Sequence, residues 1–349
     1  MDQQDQSHKR RVRYKGTHPR SFEDKYKELQ PDKYQDTIEK VIQKGNTPAG
    51  MHRPICVNEM MDFLHVQPNQ IGLDATLGYG GHTLEILKRL TKKGHLYAID
   101  ADPIELPKTK ERLEKLGFGP EIITVINMNF SNIHEILPEG KSFDFIIADL
   151  GVSSMQIDNP ERGFSFKTDG PLDLRMNPTK GITAAQRLRD LTQDEIEGML
   201  VDNADETYAK EIALGIKQEY KRGGMILTTS DFRRVIETSL AHLPKKDQDD
   251  EIKKACQRSF QALRIDINRE LEVLYEFLEK IPKVLSQGGK VAILSFHSGE
   301  DRLVKKAFQY YQREGIYQEI AKDPIRPTLE EQNSNPRSRS AKLRWAIKS

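Results

Sequence analysis

From residue 71 the chain alternates short apolar runs with amphipathic stretches. Residues 71–75 read as a strand and 81–92 as the helix behind it. Residues 94–99 form a second strand, followed by a helix over 103–116. Pro103 and Pro107 stand in the first turns of that helix, where a missing N–H costs nothing. A third strand over 121–126 leads to a short helix near 131–137, and a fourth strand, 143–148, ends at Asp149. Alternation of this kind predicts a parallel sheet with helices on both faces.

The alternation stops there. No strand-like run falls between 151 and about 258; helices are predicted over 184–191, 193–201, 206–222, 229–241 and 249–258. A long amphipathic helix over 261–285 returns to the sheet. Residues 290–295 make a fifth strand, 301–314 a helix, and 315–320 and 342–347 a final pair of strands. The polar stretch 324–339 between that pair is expected to be mobile. The chain therefore divides into an extension over 1–50, a sheet domain from 51–150 and 259–349, and an inserted helical domain over 151–258.

The junction of the first strand and helix carries the strongest chemical signal. Gly78, Gly80 and Gly81 fall within four residues. Glycines let the backbone take positive φ and approach a ligand closely, and a helix start offers free N–H donors. Asp100, at the tip of the second strand, lies 20 residues beyond Gly80. That is where a βαβ unit grips a ribose diol. The glycines do not follow G-x-G-x-x-G, and Asp74 just ahead of them suits an adenosyl ligand without pyrophosphate. In parallel sheets ligands bind at the carboxyl ends of the strands, and Asp74, the glycines, Asp100, Phe130 and Asp149 all fall there.

Composition narrows the class. The 349 residues are 36% hydrophobic and 31% charged, which describes a soluble globular protein. No apolar run approaches a membrane span, and the N-terminus lacks the apolar core of a signal peptide. Only Cys56 and Cys256 are present, without metal-ligand spacing, which points to a reducing cytoplasm and no metal. Net charge is +1, yet Lys9, Arg10, Arg11, Arg13, Lys15 and Arg20 crowd the first twenty residues. The extension is expected to be partly disordered or helical; such arms either bind phosphates or are merely solvated.

Asp149-Leu-Gly-Val-Ser-Ser154 stands where a transferred group would leave the cofactor. An exocyclic amine on a base is a poor nucleophile, because its lone pair is delocalised into the ring. An acceptor placed on its N–H restores that lone pair and takes the proton. Asp149 is the candidate for this catalytic role; a purely cofactor-binding role stays open. The loop Arg162-Gly-Phe-Ser-Phe166 offers a cation and two aromatics to a base swung out of RNA, or else Phe164 and Phe166 are core of the insert. His52 either touches substrate or is structural. His297 either faces the site or caps the helix after it.

These stretches resemble a known family. Asp74-Ala-Thr-Leu-Gly-Tyr-Gly-Gly-His-Thr83 looks like its methyl-donor turn, and Asp149-Leu-Gly-Val-Ser-Ser-Met-Gln156 like its fourth-strand motif. Glu161-Arg-Gly-Phe-Ser-Phe166, Gly170-Pro-Leu-Asp-Leu-Arg-Met176, Phe260-Gln-Ala-Leu-Arg-Ile265, Ser295-Phe-His-Ser298 and Asn335-Pro-Arg-Ser-Arg-Ser340 also match. The chain resembles, from about His52 onward, the bacterial 16S ribosomal RNA (cytosine-N4)-methyltransferase family, called RsmH or MraW. The resemblance implies a class I S-adenosylmethionine-dependent methyltransferase: a Rossmann-like α/β sheet of seven strands, the last antiparallel, with an inserted helical substrate-recognition domain. It implies S-adenosylmethionine as donor, and as acceptor N4 of a decoding-centre cytosine in 16S rRNA of the small ribosomal subunit. It places cofactor contacts on Gly80, Gly81, His82, Asp100, Phe130, Asp149 and Gln156. Gly299 departs from the leucine usual in the family at its position. A homodimer, a nicotinamide-dependent oxidoreductase sharing the βαβ logic, and a non-catalytic RNA-binding assembly factor remain as alternatives.

Overall fold

The computed structural model describes residues 54–91 and 93–349. The expected N-terminal extension and His52 lie outside the described residues. Helix α1 (Val57–Leu64) precedes β1 (Ile71–Asp74), α2 (Gly81–Leu87), β2 (His95–Asp100), α3 (Glu105–Lys115), β3 (Ile123–Asn127), a 3₁₀ turn (Phe130–Glu135) and β4 (Phe143–Asp149). After β4 come α4 (Ser154–Asp158), α5 (Ala184–Asp190), α6 (Gln193–Ala204), α7 (Ala209–Lys221), α8 (Thr229–Ser239), α9 (Lys245–Asn268) and α10 (Glu270–Val284). The chain closes with β5 (Leu285–Ser295), α11 (Ser298–Arg313), β6 (Tyr317–Ile320), α12 (Leu329–Ser334) and β7 (Lys342–Lys348).

The strands form one seven-stranded sheet in the order β3-β2-β1-β4-β5-β7-β6. β1 pairs in parallel with both β2 and β4, and β4 in parallel with β5, setting Asp74 opposite Ala98 and Ile147, and Asp149 opposite Leu294. β7 runs antiparallel between β5 and β6. The order turns back at β1 and β4, which opens the crevice where parallel sheets take their ligands. One face of the sheet packs on α1, α2 and α3 through Met60, Leu64, Ile86 and Leu113. The other packs on α10 and α11 through Phe277, Ile281, Val304 and Phe308.

Helices α4 to α9 build a core of their own, from Phe164 through Phe232 and Ile236 to Phe260 and Leu263. Their starts follow local chemistry. Ser153 with Gln156, Thr183 with Gln186, Thr192 with Glu195 and Thr228 with Asp231 each form a reciprocal capping box. The division expected at residue 258 falls inside a continuous helix: α9 runs to Asn268, and the break comes at Arg269, in the left-handed conformation (φ 50°). The stretch 324–339 is also more ordered than its polarity suggests. Ile325 forms an antiparallel bridge with Leu343, Thr328 caps α12, and Arg337 pairs with Asp158 at 3.1 Å.

Candidate active site

The strand ends meet at a cluster of carboxylates. Asp74 is 2% exposed. It accepts from the Thr83 hydroxyl at 2.6 Å and from the Thr76 N–H at 3.0 Å, so it ties β1 to α2 across the glycine turn. Gly78 (φ 47°) and Gly80 (φ 74°) take the left-handed backbone this turn needs. Asp100 accepts from the Gly78 N–H at 2.7 Å and from the Asp102 N–H at 2.8 Å. Each carboxylate oxygen keeps a second lone pair, so both remain able to accept a ribose hydroxyl. Phe130 lies against Phe277, with ring centroids 4.9 Å apart, at the end of β3.

His82 is 5% exposed, and its Nε2 lies 3.0 Å from the Ile55 carbonyl. A carbonyl only accepts, so Nε2 carries the hydrogen. Burial lowers the His82 pKa, against the opposing charge of Asp74, which keeps the ring neutral. Nδ1 is therefore a lone pair, and it faces the Asp149 carboxyl at 3.6 Å. The bond to Ile55 holds segment 54–56 against the turn. A Cβ at Gly81 would lie 2.8 Å from Pro54 Cγ, so glycine there permits the contact. The Cys56 N–H in turn donates to Glu331 of α12 at 3.1 Å. Residues distant in sequence thus close one side of the site.

Asp149 is fixed by its N–H, which donates to Thr76 Oγ1 at 2.6 Å, while 27% of its side-chain surface stays open. Burial of the strand end, then the charges of Asp74 and Glu300, lift its pKa to about 8. Burial likewise lifts Asp100 to about 6, partly offset by the N–H groups of Asp102 and Gly78. Burial also raises Asp74, against the Thr83 and Thr76 hydrogen bonds. Glu300 goes the other way. Burial pushes it up, but His297, the Phe296 N–H and Arg264 outweigh that and hold it ionised. A cleft of crowded carboxylates beside a neutral histidine is poorly matched to itself and well matched to a cation.

Gln156 and Arg162 meet at the buried Asp102. Gln156 accepts from the Ser153 N–H at 2.8 Å, and its Nε2 donates to Asp102 at 2.7 Å. Asp102, 1% exposed, also takes the Arg162 guanidinium at 2.7 Å and the Ile104 N–H at 2.8 Å. Arg162 spends its other nitrogen on the carbonyls of Arg175 and Met176. It therefore clamps the insert to the β2–α3 loop and is not free for a base. Phe164 is buried in the insert core and Phe166 packs on Phe260 at 5.8 Å, so the core reading of both holds. His297 is the cap reading: it precedes α11 and pairs with Glu300 at 3.2 Å. Sequence alone marks Asp102 only as an N-cap, because its partner Arg162 lies 60 residues on. Segment 54–56 lies against the glycine turn through its contacts with His82 and Gly81.

Among the described residues no helix is long and apolar enough to cross a membrane. The model of the MraW methylase family matches residues 49–349. A ribosomal RNA small subunit methyltransferase H 1 of Lachnoclostridium phytofermentans is 63% identical over 347 residues, 99% of this chain and 95% of its own. A methyltransferase H 2 of Alkaliphilus metalliredigens is 64% identical over 348 residues, 100% of each chain. A methyltransferase H of Koribacter versatilis is 39% identical over 302 residues, 85% of this chain and 94% of its own. The part that last relative leaves uncovered is about the size of the extension ahead of residue 49, which the first two relatives share. With the sheet order and the carboxylate-lined cleft, these matches settle the assignment: the chain belongs to the MraW methylase family and is a class I methyltransferase that uses S-adenosylmethionine.

Proposed function

We propose that the protein methylates N4 of a decoding-centre cytosine in the 16S rRNA of the small ribosomal subunit. The observation that carries this reading is Asp149, a carboxyl fixed at the end of β4 with no lysine or arginine paired to it among the described residues, open on one side and backed by His82. Bound S-adenosylmethionine supplies an electrophilic methyl group and a positive charge. Gly78, Gly80 and Gly81 form the turn that would let it approach, Asp100 would accept from its ribose, and Phe130 would line its site. Gln156 acts by holding Asp102 and the start of α4. Beside such a charge Asp149 would release its proton to solvent, and its carboxylate would then accept an N–H of the cytosine amine. As the N–C bond forms and the donor's S–CH3 bond breaks, releasing S-adenosylhomocysteine, that proton would pass to Asp149. His82 Nδ1 stands behind it as an acceptor. Metal is not required by this chemistry, and the insert is assigned to holding the RNA.

Nucleoside analysis tests the reaction type. After transfer from labelled S-adenosylmethionine to small-subunit RNA, the label should co-elute with N4-methylcytidine. Label in 5-methylcytidine would overturn the proposal, because methylation at a ring carbon needs a covalent nucleophile. Cys56 and Cys256 are buried, with thiol pKa values pushed up to about 12, chiefly by burial.

A further inference from the structure

Several cations on the exposed helix faces have an acid one turn away. Lys88 and Arg89 pair with Glu85, Lys108 with Glu105, Lys115 with Glu111, Arg233 with Glu237 and Lys254 with Glu251. The exposed face of helix α11 has no such pair among the described residues. Its acids, Glu300 and Asp301, point inward, to His297 and to Lys342 with Arg344. Its exposed face carries Arg302, Lys305, Lys306 and Arg313, and among the described residues none of the four has a carboxylate within ion-pair distance. Arg313 bonds only the Gln309 carbonyl, at 3.3 Å.

Arg302, Lys306, Tyr310 and Arg313 follow one another at helical spacing, so they form one stripe about 16 Å long. Tyr310 is 51% exposed and Tyr275, on neighbouring α10, is 54% exposed. The Tyr310 ring is braced edge-on by Tyr311 at 5.2 Å, which itself rests on Tyr317 at 5.7 Å. A ring held in place loses little freedom when a base stacks on it. The α10 side is acidic: Glu279 hydrogen-bonds Tyr275, and Glu272 is exposed nearby. Phosphates are therefore directed to the α11 side. The helix begins three residues after β5 ends, beside Asp149, and leads away from the site.

We propose that this stripe is a second RNA contact, in which Arg302, Lys306 and Arg313 grip the backbone of a single-stranded segment flanking the target base and Tyr310 stacks one of its bases. The proposal rests on the RNA-methylation reading above. Cations without acid partners, next to an exposed braced ring, are what single-stranded nucleic acid selects.

The test is fluorescence anisotropy of a labelled single-stranded oligoribonucleotide with the full-length protein across a salt series. Lys306→Ala with Arg313→Ala should weaken binding and reduce the log–log salt slope by about 1.4, two phosphates at about 0.7 each. Tyr310→Ala should weaken binding about fivefold or more with the slope unchanged. S-adenosylmethionine affinity should stay at the wild-type value in both, which shows that the fold is intact. Wild-type RNA affinity and slope in both variants would overturn the surface alone. A wild-type protein that binds S-adenosylmethionine but no RNA would overturn the surface and the RNA reading together.

Discussion

Binding of S-adenosylmethionine should release protons, and Asp149 sets the amount. Its pKa in the free protein is about 8, raised by burial and by Asp74 and Glu300. At pH 7 such a group is about nine-tenths protonated. A bound cation favours the carboxylate, so the proton must leave as the ligand arrives. The sign follows: affinity rises with pH up to about 8 and levels above it. Worked through, Kd should fall about tenfold from pH 6 to 7 and about fivefold more from 7 to 8, and the pH 7 cost is about 1.4 kcal/mol. Calorimetry in buffers of different ionisation enthalpy reads the release directly, and close to one proton per ligand is expected at pH 7. Asp149→Asn removes the titrating group and should flatten the curve, which separates it from titration of the ligand's own amine. A flat profile in the wild-type protein, or an equal slope in Asp149→Asn, would refute the reasoning.

The same variant should lower kcat by about 10² to 10⁴, the usual worth of a positioned proton acceptor, measured in single turnover with saturating donor. His82→Gln keeps a donor for the Ile55 carbonyl but removes the Nδ1 lone pair; single-turnover rates should fall by about tenfold with KM for donor little changed. Arg162→Ala strands the buried Asp102 charge and should destabilise the fold by about 3–5 kcal/mol in urea titration. Arg162→Lys should recover only part, since one ammonium cannot span Asp102 and two carbonyls. Gly81→Ala drives a Cβ into Pro54 and should cost about 1–3 kcal/mol and weaken donor binding. Adding Pro54→Gly should restore much of that loss, whereas additive effects in thermal melts would remove the clasp from the account.

The strands and the glycine turn were legible because each rests on neighbours in sequence. Residues 143–148 and 94–99 are apolar runs with an acid at the tip, and the structure starts or ends them within a residue or so. What the sequence hid depends on partners far along the chain. Arg162 looked available for RNA; its partner Asp102 is set by the fold of β2 and α3. Stretch 324–339 looked mobile because its polar residues have no local pattern, yet its anchors are Leu343, Asp158 and the Cys56 N–H. The join between α9 and α10 lies at Arg269 and not near residue 258, and no glycine or proline marks it. Arg269 takes a left-handed conformation that side chains rarely adopt, and only the packing of both helices reveals it. For the site, Asp74, Asp100 and Asp149 were visible as strand-end acids, but their mutual crowding, the property that suits them to a cation, is a distance and not a pattern.

The most direct test is methyl transfer from labelled S-adenosylmethionine to small subunits that lack modification, with the product mapped by nuclease digestion and mass spectrometry. The account predicts one methyl group per subunit, on N4 of a decoding-centre cytosine, lost in Asp149→Asn. Transfer to another nucleotide, or undiminished transfer by Asp149→Asn, would contradict it.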